Sequence, residues 1–224
     1  MDLSSAQPSG NPSNFPSSGR GPDKYPNSIR LFESDFLERF THVHPIIPLV
    51  MWTPLITYLI WRSFAVDHLS FAAVAGLGLA ALFVWTFAEY TLHRFVFHLK
   101  PTTPARTRLA FIIHGLHHDD PVDASRLVMP PLPGLILAAL LYSLFRGLLG
   151  PVLVEPFFAF FIVGYLCYDY IHFSVHHFNP KTRAGKYLKA SHMRHHFVSH
   201  EARWGVSSPL WDYVFGTVHP PKKT

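Results

Sequence analysis

The amino-acid sequence predicts an all-α integral membrane protein with four transmembrane helices, arranged as two hairpins that carry a cytoplasmic, histidine-rich helical cap. Three observations predict this fold class. Four stretches approach the length of about 20 mostly apolar residues that a helix needs to cross a bilayer. The basic residues concentrate outside these stretches. Ten of the sixteen histidines form spaced clusters at the ends of the stretches.

The first 29 residues differ in composition from the rest of the chain. Residues 1–29 are rich in Ser, Pro, Gly and Asn and contain few large apolar side chains. Such a segment cannot offset its own ordering entropy, so we predict a disordered leader there. It also lacks the charged and apolar regions of a secretory signal peptide. We therefore predict that the membrane domain comprises residues 30–224.

Short polar breaks divide the apolar part of the chain into two hairpins. The predicted spans lie near residues 46–66, 69–90, 132–149 and 152–173. Only Asp67-His68 separates the first pair, and only Gly150-Pro151 separates the second. A soluble helical bundle is the less favoured alternative, because helices of soluble bundles usually carry a charged face.

The distribution of basic residues predicts the orientation. Four spans place the N-terminal segment and the two parts of the cap, residues 91–131 and 174–224, on one side of the membrane. Of the nineteen Lys and Arg residues, only Arg62 and Arg146 lie near the opposite side. The positive-inside rule therefore places the cap, with all its histidine clusters, in the cytoplasm.

The histidine clusters predict a metal centre with more than one ion. The clusters are His93 with His98; His114 with His117 and His118; His172 with His176; and His192 with His195 and His196. Neutral imidazole is the commonest protein ligand for several metals. Ten candidates exceed the four ligands of one structural zinc and suit two ions. The single cysteine, Cys167, excludes a thiolate cluster, which leaves Fe, Zn, Cu and Ni open.

The spacing within the clusters predicts how they meet a metal. Residues three and four apart share a helix face, so each H-x-x-H-H motif can direct adjacent imidazoles at two different ions. His93 and His98 are five apart, roughly 140° around an ideal helix, and share a metal only if the helix ends or deforms between them. The histidines that stand apart, predicted to be ordinary surface or interfacial residues, are His42, His44, His68 and His219.

Two carboxylates are candidates for supporting the ligands. Asp169, three residues before His172, is predicted to accept the second N–H of a ligating imidazole. Glu89 lies at the end of a span, where an ionisable group is costly unless paired, and its predicted partners are His93 and Arg94. The alternative for both carboxylates is a helix-terminal charge without a chemical role.

The residues around the clusters resemble the membrane fatty acid hydroxylase superfamily, and within it the fatty acid 2-hydroxylases that act on sphingolipids. The resemblance covers about residues 30–218. The matching stretches are residues 89–98, 114–131, 168–172 with 176–177, 191–196 and 205–217. The histidine pattern alone is shared with sterol desaturases and carotenoid hydroxylases, whereas residues 123–128 and 211–216 favour the 2-hydroxylase branch.

The resemblance implies a specific chemistry. The ten clustered histidines would hold two iron ions, which zinc can replace in a purified protein. The enzyme would insert one oxygen atom of O2 at carbon 2 of an acyl chain, with ceramide as the expected substrate. Asp169, Tyr168 and Arg126, which lie in the matching stretches, are expected to position either the ligands or the substrate. The alternatives are a desaturase or a sterol or carotenoid oxidase of the same superfamily, and a membrane metal transporter or storage protein.

The expected partners follow from the same resemblance. Some members carry a fused cytochrome b5 domain with a His-Pro-Gly-Gly haem motif; this sequence has no such motif, and residues 1–45 are too short and polar for that domain. We therefore expect a membrane lipid, O2 and a separate electron donor such as cytochrome b5 or a ferredoxin, and no nucleic acid. The expected location is the endoplasmic reticulum membrane in a eukaryote and the inner membrane in a bacterium.

Overall fold

The computed structural model describes residues 28–100 and 102–220, and every regular element among them is a helix. The all-α prediction is therefore confirmed for the described part of the chain. Residues 1–27 of the predicted leader lie outside the described residues. The contacts divide the chain into two units, residues 1–41 and 42–224. In the first unit, α1 (Asp35–Arg39) carries Glu38, whose carboxylate accepts two main-chain N–H groups from the preceding turn.

Three long helices and several short ones make up the described part of the second unit. In chain order they are α2 (Ile47–Ala65), α3 (Phe71–Thr91), the π-helix π1 (Leu92–Phe97), α4 (Pro104–Ala110), the π-helix π2 (Phe111–Gly115), α5 (Leu116–Asp119), α6 (Pro131–His177), α7 (Arg183–Phe197) and α8 (Leu210–Val214). Three of these helices, α3, α4 and α7, begin at a residue whose side chain caps the helix. For example, the Ser70 side chain accepts the N–H of Ala73 at the start of α3, which satisfies a donor that the helix itself leaves free.

Two helices are long and apolar enough to cross a membrane. They are the continuous helix Phe71–Phe97, formed by α3 and π1, and the 47-residue helix Pro131–His177. The latter bends at Gly150, where φ is +79° and a side chain would be strained. The bend divides α6 into two helical segments.

The helix boundaries agree with the predicted spans. The segments of α6 on either side of Gly150 match the predictions at 132–149 and 152–173, and the 19-residue helix α2 matches the prediction at 46–66. That all four segments cross the bilayer, and in which direction, remains a prediction.

The core of the second unit lies where α6 packs against both α2 and α3. The buried side chains include Trp52 and Leu59 of α2, Ala81 and Trp85 of α3, and Phe158, Phe161 and Ile162 of α6. Gly164 permits the closest approach, because a Cβ atom there would lie 2.6 Å from Cγ of Trp85. Lipid tails are as apolar as these side chains, so helices in a bilayer associate through close packing, which small residues allow.

The histidine clusters lie at one end of these long helices. π1 continues directly from α3 and carries the first cluster, while π2 and α5 carry the second. The third cluster is in the last turns of α6, and the fourth is on α7. The fold therefore brings together residues from four separate parts of the sequence.

Candidate metal centre

The ten clustered histidines converge in two groups of five. Within each group, the candidate ligand atoms all lie within 4.8 Å of one another. Group 1 consists of His93, His98, His114, His118 and His195, and group 2 consists of His117, His172, His176, His192 and His196. Each group has enough nitrogen donors to hold a metal ion.

A change of helix type brings the first cluster together. After His93 the chain forms π1, in which hydrogen bonds span five residues instead of four, and the N–H of His98 donates to the carbonyl oxygen of His93 at 3.2 Å. The two imidazole rings are 5.1 Å apart and both belong to group 1. The prediction that the helix deforms between these residues is confirmed.

Adjacent histidines serve different groups. His117 belongs to group 2 and His118 to group 1, while His195 belongs to group 1 and His196 to group 2. Successive residues of a helix point about 100° apart, which is why each H-x-x-H-H motif reaches both groups. Each H-x-x-H-H motif thus contributes imidazoles to both groups, as its spacing predicts.

The nitrogen atoms are spaced as ligands of a shared ion would be. In group 1, Nε2 of His98 lies 3.1 Å from Nε2 of His118 and 3.0 Å from Nε2 of His195. In group 2, Nε2 of His172 is 3.0 Å from Nε2 of His117. Two ligand nitrogens that each lie about 2.1 Å from one ion, with an angle of about 90° between them at the ion, are about 3 Å apart. The observed distances therefore fit metal coordination.

Burial keeps the cap histidines in the neutral form that binds metals. Desolvation, with smaller contributions from neighbouring imidazoles, lowers the pKa of His98 to about 3 and that of His195 to about 2. The same cause lowers the pKa of His114, His117 and His192 well below the ordinary value. Their ring nitrogens therefore carry free lone pairs at neutral pH.

An apolar cavity lies between α2, α3 and α6 beside the histidines. Its wall includes Leu92 and Phe97 of π1 and Tyr168 of α6. The Phe97 ring stacks on His114 of group 1, and the Tyr168 ring stacks on His172 of group 2. Residues of the cavity wall therefore contact both histidine groups, and the apolar cavity is suited to an alkyl chain.

The profile described as fatty acid hydroxylase matches residues 78–217, which is more than half of the chain. The chain belongs to the fatty acid hydroxylase family.

Relatives from several organisms match nearly the whole chain. The rat fatty acid 2-hydroxylase is 36% identical over 214 residues, covering 86% of this chain and 57% of the relative. A dihydroceramide fatty acyl 2-hydroxylase of Arabidopsis thaliana is 37% identical over 194 residues, covering 86% of this chain and 81% of the relative. The chain thus spans little more than half the length of the mammalian relative.

A solved structure has the same fold. The visible hydroxylase domain of full-length scs7p superposes with a TM-score of 0.80 at 36% sequence identity, covering 88% of this chain and 74% of that chain. The helical architecture is therefore that of a fatty acid hydroxylase domain.

The three residues predicted to position ligands or substrate have different surroundings in this fold. Tyr168 is buried against the cavity and group 2. Asp169 is also buried, but its carboxylate accepts the hydroxyl of Tyr165 at 2.6 Å, and the predicted bond from His172 is not formed among the described residues. Arg126 places Nη2 2.9 Å from Nε2 of His42.

His42, expected to be an ordinary surface or interfacial histidine, is half-buried, and its Nδ1 lies 2.6 Å from Oγ of Ser125. The expected partners of Glu89 are wrong. Glu89 does not pair with His93 or Arg94; its carboxylate accepts the main-chain N–H groups of Val206 and Ser207 at 2.6 and 2.7 Å. A buried carboxylate needs such donors, and here a distant loop supplies them instead of the neighbouring turn.

No sequence pattern indicated the groups that hold the histidines in place through their outer ring nitrogens. Nδ1 of His93 lies 2.5 Å from the carbonyl oxygen of Trp204, and Nδ1 of His195 lies 2.7 Å from that of Ala202. The Trp204 ring also contacts the ring of His98. Carbonyl groups occur at every residue, so no residue type marks those that act as partners.

Proposed function

We propose that this protein is a di-iron membrane monooxygenase that hydroxylates carbon 2 of a fatty acyl chain, with the N-acyl chain of a ceramide-like sphingolipid as its substrate. The observation that carries the proposal is the pair of five-histidine groups beside an apolar cavity. The 2-hydroxylase and dihydroceramide names of the relatives support the carbon position and the substrate class.

The two histidine groups would hold one iron ion each. The fit rests on the convergent Nε2 atoms and on the neutral imidazoles. It also rests on His196, whose buried Nδ1 and Nε2 atoms both lack a hydrogen-bond partner among the described residues. Imidazole suits iron and zinc alike, so we expect zinc to replace iron in some purified preparations. When bound, iron supplies the activation of O2, by which one oxygen atom enters a C–H bond and the other leaves as water.

The chain's own residues would bind and orient the lipid. The apolar cavity would hold the alkyl chain and exclude water from the reacting carbon. The Tyr168 hydroxyl, which has no hydrogen-bond partner in the described part of the chain, would donate to the acyl carbonyl oxygen, whose carbon atom is bonded to carbon 2. Asp169 would hold Tyr165 in the cavity wall, and Arg126 would hold the loop before α6 through His42.

We further propose that the histidine cap faces the cytoplasm above four membrane crossings. Residue-specific labelling tests this topology in a Cys167→Ala background. A membrane-impermeant maleimide should label Lys186→Cys on α7 only from the cytoplasmic side, and His68→Cys, between α2 and α3, only from the opposite side. Labelling of both from one side would contradict the proposal. The membrane would be the endoplasmic reticulum in a eukaryote or the inner membrane in a bacterium.

The electrons would come from a separate carrier such as cytochrome b5 or a ferredoxin. Basic side chains along α7, on the segment that supplies three of the ligands, are suited to a carrier with an acidic surface. These are Arg183, Lys186, Lys189 and Arg194. Reversal of two of them, Lys186→Glu with Lys189→Glu, should slow electron transfer from the protein carrier but not from a small artificial donor.

Product analysis tests the reaction directly. Purified protein with iron, O2 and an artificial electron donor is incubated with ceramide and, separately, with free fatty acid, and the products are fragmented in a mass spectrometer. The expected product is ceramide with one added oxygen at carbon 2. Loss of two hydrogens would indicate a desaturase, and a hydroxyl at another carbon would refute the position.

A metal transporter is the functional alternative from another class. Transporters usually bind their ions near the middle of the membrane-spanning segments. Here the histidines of both groups are not near the middle of the long helices: they include residues on π1 after α3, at the end of α6 and on α7. This position disfavours transport. Bound metal whose removal does not lower any O2-dependent activity would favour transport or storage instead.

A further inference from the structure

The C-terminal segment supports only one of the two histidine groups. The tail segment, defined as residues 202–217, lies against group 1. Because a carbonyl oxygen only accepts, the contacts to Trp204 and Ala202 require that Nδ1 of His93 and His195 carry the proton. That tautomer leaves the Nε2 lone pair of both rings directed into group 1.

Two buried carboxylates hold the tail segment in place. Asp212, almost fully buried, accepts the N–H of Trp204 at 2.9 Å and that of Gly205 at 2.8 Å. Glu89, on α3, accepts the next two N–H groups and also the hydroxyl of Ser207. The turn is too tight for a side chain at Gly205, where a Cβ atom would lie 2.0 Å from the carbonyl oxygen of Ser208. The carbonyl partners of group 1 are therefore rigidly positioned.

Group 2 has no corresponding support. In the described part of the chain, no imidazole of group 2 is hydrogen-bonded through Nδ1 to a protein oxygen. Among the described residues, the Nδ1 atoms of His192 and His196 are buried without a partner, as is that of His118 in group 1. The difference between the groups therefore lies in the two carbonyl contacts of His93 and His195, which only group 1 has. Partners of this kind fix the ring orientation and raise the basicity of a ligand, and their loss typically costs about 10- to 100-fold in metal affinity.

We propose that the two metal sites are unequal: group 1 binds its ion more tightly than group 2, and Asp212 is a positioning residue for group 1 that acts through the tail segment. The inference rests on the proposed two-ion function. It assigns to the tail segment a role in metal binding although none of its residues is a ligand.

Graded chelation of the purified, iron-loaded chain under anaerobic conditions tests the inequality. The ratio of metal to protein, measured by elemental mass spectrometry, should fall from two to one and then to zero. The two steps should be separated by about 10- to 100-fold in chelator concentration. Release of both ions in one step would overturn the inference while leaving the two-ion function intact. A saturated protein that holds at most one ion would overturn the two-ion function and the inference with it.

Two histidine variants identify which site is the tight one. His192→Ala, in group 2, should retain one ion that resists the chelator as well as the last ion of the wild type. His195→Ala, in group 1, should lose the tight step. The opposite pattern would overturn the inference.

Asp212→Asn tests the positioning role. The substitution places an amide N–H₂ group opposite a main-chain N–H, so the tail segment should loosen and the tight ion should leave at a chelator concentration about 10-fold lower or more. Glu201→Gln is the matched control, since that carboxylate is exposed in the same part of the chain, and its release curve should match the wild type. If Asp212→Asn is folded, as judged by circular dichroism, and releases its ions like the wild type, the positioning role is excluded. If that variant does not fold, His192→Ala and His195→Ala still decide whether the two sites are unequal.

Discussion

The main-chain N–H of His98 donates to the carbonyl oxygen of His93, 3.2 Å away and five residues earlier in the chain. This bond belongs to a π-helix, a form that is rare and frequently found at functional sites. An α-helix would direct the two imidazoles roughly 140° apart. The wider turn brings both imidazoles into group 1 and does so where the apolar helix α3 ends.

Ligand substitutions should separate metal binding from folding. His118→Ala in group 1 and His196→Ala in group 2 should each reduce 2-hydroxylation by about 100-fold or more, because both ions are needed for the reaction and ligand loss costs at least as much affinity as loss of an outer partner. His68→Asn, in the turn after α2, is the control; asparagine tolerates the positive φ of 51° found there. A similar loss of hydroxylated ceramide in all three variants would mean that folding, not metal binding, is affected.

The metal-free protein should lose stability in acid. In the unfolded chain, His98 and His195 become protonated below about pH 6.5. In the folded chain, burial lowers the pKa of His98 to about 3 and that of His195 to about 2. The unfolded state therefore binds more protons, so this stability is complete above about pH 6.5 and is lost as the pH falls towards the folded pKa values. The expected slope is about 1.4 kcal/mol per pH unit for each imidazole.

Unfolding of the metal-free protein in detergent at about pH 7 and about pH 5 measures this slope. His98→Gln should reduce it by the contribution of one imidazole, because glutamine does not titrate. Equal stability of the wild type at both pH values would contradict the prediction.

Packing between α3 and α6 should depend on Gly164. Gly164→Ala introduces a Cβ atom 2.6 Å from Trp85, so the two helices must separate, at a cost of about 1–3 kcal/mol. Gly76→Ala is the control on α3, because nothing lies within 4 Å of its added Cβ and alanine favours a helix by up to about 1 kcal/mol. In thermal unfolding measured in detergent, only Gly164→Ala should therefore lower the midpoint temperature.

The Tyr168 hydroxyl should contribute to substrate binding and not to metal binding. Tyr168→Phe retains the ring that stacks on His172 but removes the donor, so kcat/KM for ceramide should fall by up to about 10-fold, the value of one hydrogen bond. The iron content should not change. Tyr142→Phe, whose ring packs on Phe158, provides a control with normal kinetics. A loss of iron in Tyr168→Phe would instead indicate a role in holding group 2.

The cavity volume should limit the length of the acyl chain. Ala138 lines the cavity, so Ala138→Phe should fill part of it and reduce kcat/KM for the longest accepted chains by about 10-fold or more. Ala139→Phe is the matched control, because Ala139, the next residue on α6, is exposed. Competition among ceramides of different chain length, followed by mass spectrometry, measures the shift. An unchanged preference in Ala138→Phe would mean that the chain lies elsewhere.

Much of this protein could be predicted because the relevant signals are local. Long apolar runs bounded by Asp67-His68 and Gly150-Pro151 predict the helix positions, since a helix forms from neighbouring residues and ends where the backbone must turn. The spacing of His195 and His196 predicts the division between two ions, because successive residues on a helix point in different directions. The sequence alone therefore determined the helices and the ten candidate ligands.

Tertiary structure decided which groups meet. The partners of Glu89 lie 117 and 118 residues away, in the tail segment, and its charged neighbours in sequence turned out not to be its partners. The contacts that orient His93 and His195 come from main-chain carbonyl oxygens, which no side-chain pattern marks. The grouping of the ligands, and the unequal support that we propose for the two metal sites, depend on such long-range contacts, and only packing of the folded chain creates them.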